Sequence, residues 1–126
     1  MIQQISVTKN YPNQQITFNA LGQNITLNLY FRGYIGLPPI TQSFINTYAP
    51  PKFYADIYLN NTLIIAGTLV IDRTPINLYP SNLVGYIVSV DSNGNDDPDL
   101  ENLGVTANLY FVTTLAEIAD IVSLIP

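Results

Sequence analysis

Apolar and polar positions alternate along most of this chain with a period of two, the signature of strands covered on one face. In NITLNLYFR, Ile25, Leu27, Leu29 and Phe31 fall on one side and Thr26, Asn28 and Tyr30 on the other. QITFNA repeats the pattern, with Ile16 and Phe18 inward and Thr17 and Asn19 outward. The short, glycine-bearing LGQN between them predicts a hairpin. A second hairpin follows in KFYADIYLNNTLIIAGTLVID, where Phe53, Ala55, Ile57 and Leu59 alternate with Tyr54, Asp56 and Tyr58 before Asn60-Asn61 turns the chain. Asparagine tolerates the positive φ that such a turn demands. The returning segment, Leu63 to Ile71, is apolar on both faces and predicts a central strand covered on both sides, with Gly67 marking a bulge or a close backbone approach. NLVGYIVSV and GVTANLYFVT form a third pair, and QQISVTK predicts an N-terminal strand at a sheet edge. Leu27, Leu29, Ile65, Leu69, Ile87, Val88 and Leu109 are the expected core.

Two stretches depart from the alternation. RGYIGLPPITQSFINTYAPPK holds four prolines and two glycines, and proline cannot donate to a ladder, so residues 34–52 predict an extended loop. Loops of that length are commonly functional or ordered by a partner. At the C-terminus, LAEIADIVSLIP places Leu115, Ile118, Val122 and Ile125 at helical spacing, which predicts a short docking helix or tail over residues 115–126. The fold class is therefore all-β, an antiparallel sandwich or barrel of about seven strands. The chain's 126 residues suit one domain, 1–126.

Composition removes most chemistry. The chain has no cysteine and no histidine, so disulfides, thiolate nucleophiles and every triad relying on an imidazole base are excluded, along with the commonest zinc ligands. No catalytic residue, cofactor or metal ligand is assigned. Four basic against nine acidic residues give a net charge of −5, which argues against nucleic-acid binding, since that requires a basic face. The N-terminus lacks the basic and apolar regions of a secretion signal, and the apolar run from Leu63 is far shorter than a membrane helix. The chain is expected to be made and used without a secretion signal or an anchor, and the sequons at Asn24 and Asn60 then carry no meaning.

Five of the nine carboxylates fall in DSNGNDDPDLENLG, residues 91–104. An EF-hand loop needs glycine sixth and glutamate twelfth, whereas here Gly94 is fourth and Asn102 is twelfth. Asp96, Asp97, Asp99 and Glu101 are left as candidates for an ad hoc cation site. The turn residues Ser-Asn-Gly-Asn, and a single helical turn after Pro98, instead predict a connector.

The segment LIIAGTLVIDRTPINLYPSNLVGYIVSVDSNGNDDPDLENLGVTANLYFV, about residues 63–112, resembles the small baseplate plug proteins of contractile-tailed bacteriophages. The shared order is an AG-bearing strand, a segment like NLYPSNL, a glycine-containing strand, and an aspartate-rich turn, here Asp97-Pro98 with Leu103-Gly104, before an aromatic strand. NQQITFNALGQNITLNLYF and FYADIYLNN resemble the family's first half. The 34–52 loop is longer than the family's usual link, and the hydrophobic C-terminus is a second departure. The resemblance implies a non-enzymatic virion protein at the centre of a tail baseplate, in several copies, contacting other baseplate, hub and tail-tube proteins and associating with itself. It brings no catalytic or ligand-binding residues with it. Charged residues make up only 10% of the chain, against about 25% in typical soluble domains. Tyr30, Tyr34, Tyr48, Tyr54, Tyr58 and Tyr110 are the expected assembly contacts, because tyrosine is enriched and Lys and Glu depleted where surfaces become covered. The alternative is a carbohydrate-binding sandwich module of a phage tail, although such sites favour exposed tryptophan and the chain has none.

Overall fold

The computed structural model describes residues 1–9, 11–32, 52–77 and 83–124. Seven strands form two antiparallel sheets that face each other as a sandwich, leaving the barrel alternative aside. In chain order they are β1 (Ile2–Ile5), β2 (Asn13–Ala20), β3 (Gln23–Arg32), β4 (Lys52–Leu59), β5 (Thr62–Leu69), β6 (Tyr86–Asp91) and β7 (Ala107–Val112). One sheet has the order β1-β7-β6 and the other β2-β3-β4-β5. A single helix, α1 (Ala116–Ser123), follows. Most of the 34–52 loop lies outside the described residues, and its last residue, Lys52, belongs to β4 instead.

Both predicted hairpins form. β2 and β3 meet through Leu21 and Gly22 at positive φ, and β4 and β5 through Asn60 and Asn61 at φ 49° and 68°, the paired left-handed residues that match strand twist. The Asn60 side-chain carbonyl also accepts the Asn24 N–H at 3.2 Å, fastening this turn to the neighbouring strand. β1 lies at an edge, as the N-terminal alternation predicts, pairing Ile2 with Val112 and Ile5 with Leu109.

The core fills the space between the sheets. Ile25, Leu27 and Leu29 of β3 and Phe53, Ala55 and Ile57 of β4 meet Ile5, Ile87, Leu109 and Phe111 of the opposite sheet, all buried. On the far side of the three-stranded sheet, Val88, Val90 and Val112 pack under α1 through buried Ile121, with Ile118 and Val122 partly buried. The helix stripe thus runs through Ile118, Ile121 and Val122. Leu115 precedes the helix and is 47% exposed, and Ile125 lies outside the described residues. A Thr-x-x-Glu start supports the helix: the Glu117 carboxylate accepts the Thr113 and Thr114 N–H groups at 2.8 and 3.0 Å. The N-terminal ammonium, hydrogen-bonded to Glu117, and then Thr113 hold this carboxyl down at about 2.

The strand covered on both faces is β6, buried at five of its six positions. β5, expected to be central, is an edge strand instead. Its partnership with β4 shifts register twice, between Ala55 and Ile57 and between Ile57 and Tyr58. Gly67 takes φ +66° at the first shift, the predicted bulge. These insertions let consecutive Ile64 and Ile65 both pack on the core and turn Leu63 and Leu69 to the outer face. Leu63 is 49% exposed, and Ile65 and Leu69 are only partly buried, correcting their assignment to the full core. Leu27, Leu29, Ile87, Val88 and Leu109 are fully enclosed.

Candidate assembly interface

The outer face of the four-stranded sheet has no layer over it among the described residues, whereas the other sheet has α1. The alternation that sends Leu27, Leu29 and Phe53 inward sends Thr26, Asn28, Tyr30 and Arg32 of β3 outward, with Tyr54, Asp56 and Tyr58 of β4. Tyr30 sits opposite Tyr54 and Thr26 opposite Tyr58 in the ladder. The Tyr30 and Tyr54 rings stack, 6.1 Å between centroids and 19° apart, and the Arg32 guanidinium lies 5.1 Å and 5.6 Å from the two centroids.

Asp56, opposite Asn28 in the ladder, is anchored beside them. Its Oδ1 accepts the Tyr30 hydroxyl at 3.1 Å and the Gly67 backbone N–H at 2.7 Å. The β5 bulge therefore does chemical work on this face: it turns a backbone donor towards the one carboxylate there. Partial burial, and then Asp56, push the Tyr30 hydroxyl above its ordinary range, so it remains a donor at neutral pH. Towards β2 the surface becomes amide- and hydroxyl-rich, with a shallow groove lined by Asn13, Gln15, Asn28 and Asp56, and the Thr17 and Thr26 hydroxyls 3.1 Å apart.

Three of the six expected contact tyrosines, Tyr30, Tyr54 and Tyr58, are thus brought to one face. Tyr110 is not with them: it lies in the other sheet, with Tyr86, on the side packed beneath α1. Tyr34 and Tyr48 lie outside the described residues. Sequence reasoning missed Leu69 and Leu63, which the β4–β5 register sets beside Tyr54 and Tyr58, and Arg32. The signal for Leu69 was Gly67, since a bulge there reverses the faces of the residues beyond it, whereas the second shift, which turns Leu63 outward, carries no glycine to mark it.

The acidic loop is a connector that ties the sheets together. Asp91, 1% exposed, accepts the N–H groups of Asn93 and Asp96, both at 3.1 Å. Burial opposes its charge, but those donors, with Thr106 and Arg73, hold its carboxyl below the usual range. Asp97 receives the Lys52 ammonium at 3.0 Å and the Asp72 N–H at 2.8 Å, joining the start of β4 to the chain beyond β5. The predicted helical turn forms after Pro98: the Leu103 N–H reaches the Asp99 carbonyl at 3.1 Å, and the Asp99 carboxylate caps Glu101 and Asn102 at 2.8 Å each. Burial raises the Asp72 carboxyl, whose Oδ1 accepts the Asp91 N–H at 2.7 Å.

Donors thus engage both carboxylate oxygens of Asp91 and of Asp97 and one of Asp99. Melting temperature is therefore expected to be the same in calcium as in chelator, whereas a ligand at a hundredfold excess over its Kd would add about 2.7 kcal/mol. A rise of several degrees in calcium would overturn the connector assignment.

Residues 2–114 match the family described as cyanophage baseplate Pam3 plug gp18. No curated protein matches.

Proposed function

The chain belongs to this cyanophage baseplate plug family, and we propose that, as a structural subunit of the virion tail baseplate, it is held there through the outer face of its four-stranded sheet. The observation that carries the proposal is the juxtaposition of Tyr30, Tyr54 and Tyr58 with Leu63 and Leu69 on a face whose charges are already engaged. Arg32 lies over two rings, and Asp56 is bonded to Tyr30 and Gly67. A surface destined to stay wet has little need of such anchors. Tyrosine contributes large apolar area, loses few rotamers and keeps a polar tip, which suits a face wet before assembly and covered after it. The partners on this reading are other baseplate, hub and tail-tube proteins and further copies of the chain, with Tyr34 and Tyr48 of the proline-rich segment contributing. The role is one of assembly, without catalysis.

Tyr58→Glu tests it, because a carboxylate in a closing interface loses its water without gaining a partner. Tyr58 is only half-buried, so the variant is expected to fold with an unchanged circular dichroism spectrum. Its incorporation into particles, measured in competition with wild type, is expected to fall roughly tenfold or more, the effect of losing about 2 kcal/mol at a contact anchor. Incorporation equal to wild type would overturn the proposal and direct attention to glycan binding.

A further inference from the structure

The two sheets have four outer edges, and three of them are protected. β6 is flanked by residues 72–77: the Arg73 N–H donates to the Ser89 carbonyl at 2.7 Å and the Ile76 N–H to the Ile87 carbonyl at 2.8 Å. β1 is only four residues long. β5 carries two register shifts and a left-handed glycine. Short strands, covering segments and bulges are the devices by which proteins prevent edge-to-edge pairing.

Among the described residues, β2 has none of them. Asn13–Ala20 pairs with β3 in unbroken register over eight residues, and NQQITFNA contains no charge and no proline. The Phe31 N–H donates to the Pro12 carbonyl at 2.6 Å, so the even-numbered residues of β2 direct their backbone groups at β3. By the alternation of an antiparallel ladder, Asn13, Gln15, Thr17 and Asn19 direct theirs away from it. Among the described residues no backbone group bonds to them. Ile16 and Phe18 pack on the inter-sheet core yet stay partly exposed at its rim.

We propose that this edge pairs with β2 of a second copy of the chain, antiparallel about a two-fold axis, joining two four-stranded sheets into one continuous sheet. The strand is complementary to itself. Centred on Thr17, the pairing sets Thr17 against Thr17, Gln15 against Asn19, and Ile16 against Phe18. Every odd residue then meets an odd residue, so the outward N–H and C=O groups bond each other. Every inward side chain meets an inward one, so the rim residues Ile16 and Phe18 gain a branched–aromatic cross-strand contact. No like charges oppose, because the strand has none. A two-fold contact of this kind closes at two copies, and the bulged β5 edge does not extend it. The proposal goes beyond the assembly role and does not depend on the tyrosine face, since it is read on the purified chain without a particle.

Two variants and a control test it. Gln15→Pro removes an outward N–H and places a ring at the edge while sparing the β2–β3 ladder. In sedimentation over a concentration series, wild type is expected to dimerise and Gln15→Pro to have its dissociation constant raised roughly tenfold or more, with an unchanged circular dichroism spectrum. The chain is free of cysteine, so Thr17→Cys places one thiol at the proposed axis and Thr62→Cys one at the exposed β5 edge as the control. On oxidation, Thr17→Cys is expected to form a covalent dimer and Thr62→Cys to stay monomeric. A wild type that stays monomeric throughout, with no more cross-linking at Thr17→Cys than at Thr62→Cys, overturns the proposal. So does a dimer that Gln15→Pro leaves intact. Loss of particle incorporation in Tyr58→Glu bears on the tyrosine face and on neither of these results.

Discussion

Gly85→Ala is expected to be among the most damaging single substitutions in this protein. Gly85 lies just before β6 at φ +104°, a conformation that side-chain-bearing residues rarely adopt. An added Cβ would come within 2.4 Å of Phe111 Cζ and 2.8 Å of the Val112 carbonyl oxygen. Phe111 is fully enclosed, its ring 6.1 Å from that of Phe18 across the core, and the second obstacle is backbone in the ladder between β1 and β6. Neither has room to retreat. Backbone strain of about 1–2 kcal/mol and overpacking of about 1–3 kcal/mol together predict a loss of about 2–5 kcal/mol in denaturant unfolding. Gly67→Ala is the control, because Gly67 also has positive φ but an added Cβ there meets only the Tyr30 hydroxyl, at 3.8 Å. Equal losses in the two variants would show that Phe111 is not seated against Gly85.

Truncation of the core comes next. Leu29 and Leu109 contribute from opposite sheets to the same inter-sheet cluster and are 2% and 0% exposed. Leu29→Ala and Leu109→Ala are each expected to lower unfolding free energy by about 2–5 kcal/mol, the sum of lost transfer energy and the cavity left behind. Ile65→Ala, on the bulged edge strand and partly exposed, is expected to cost less than about 2 kcal/mol, because less of its side chain leaves water on folding and no closed cavity is left behind. Losses below about 1 kcal/mol at both leucines would mean that the strand faces are inverted.

The hairpins were legible because their information is local. Alternation names the inward residues, and Gly22 and Asn60-Asn61 supply the left-handed turns. The acidic connector was legible for the same reason: Gly94 in the wrong place excluded one motif, and Pro98 with Asp99 announced a helical turn. What local reading could not supply was which face of each sheet receives a second layer. Tyr110 and Tyr58 occupy the same position in their strands' alternation, yet one lies beneath α1 and the other on the uncovered face. The apolar run from Leu63 to Ile71 looked central because it is apolar on both faces, yet it forms an edge strand in which two insertions set consecutive Ile64 and Ile65 on the core. Lys52 and Asp97, far apart in sequence, form a clasp that no pattern along the chain would disclose.

The pairing of β1 with β7 has a consequence for how the protein is made. β2 to β5 are consecutive, so their hairpins can zip as each strand leaves the ribosome. The opposing sheet cannot close until its middle strand, β7, has been translated, because β7 separates β1 from β6. Contacts between such distant parts of a chain are slow to form. Throughout that interval Ile25, Leu27, Leu29, Phe53 and Ile57 have only a partial cover, the kind of surface on which half-made chains associate wrongly. A message cut short anywhere before β7 yields a chain that never covers this surface. Translation through β7 is thus the step that completes the cover over this core.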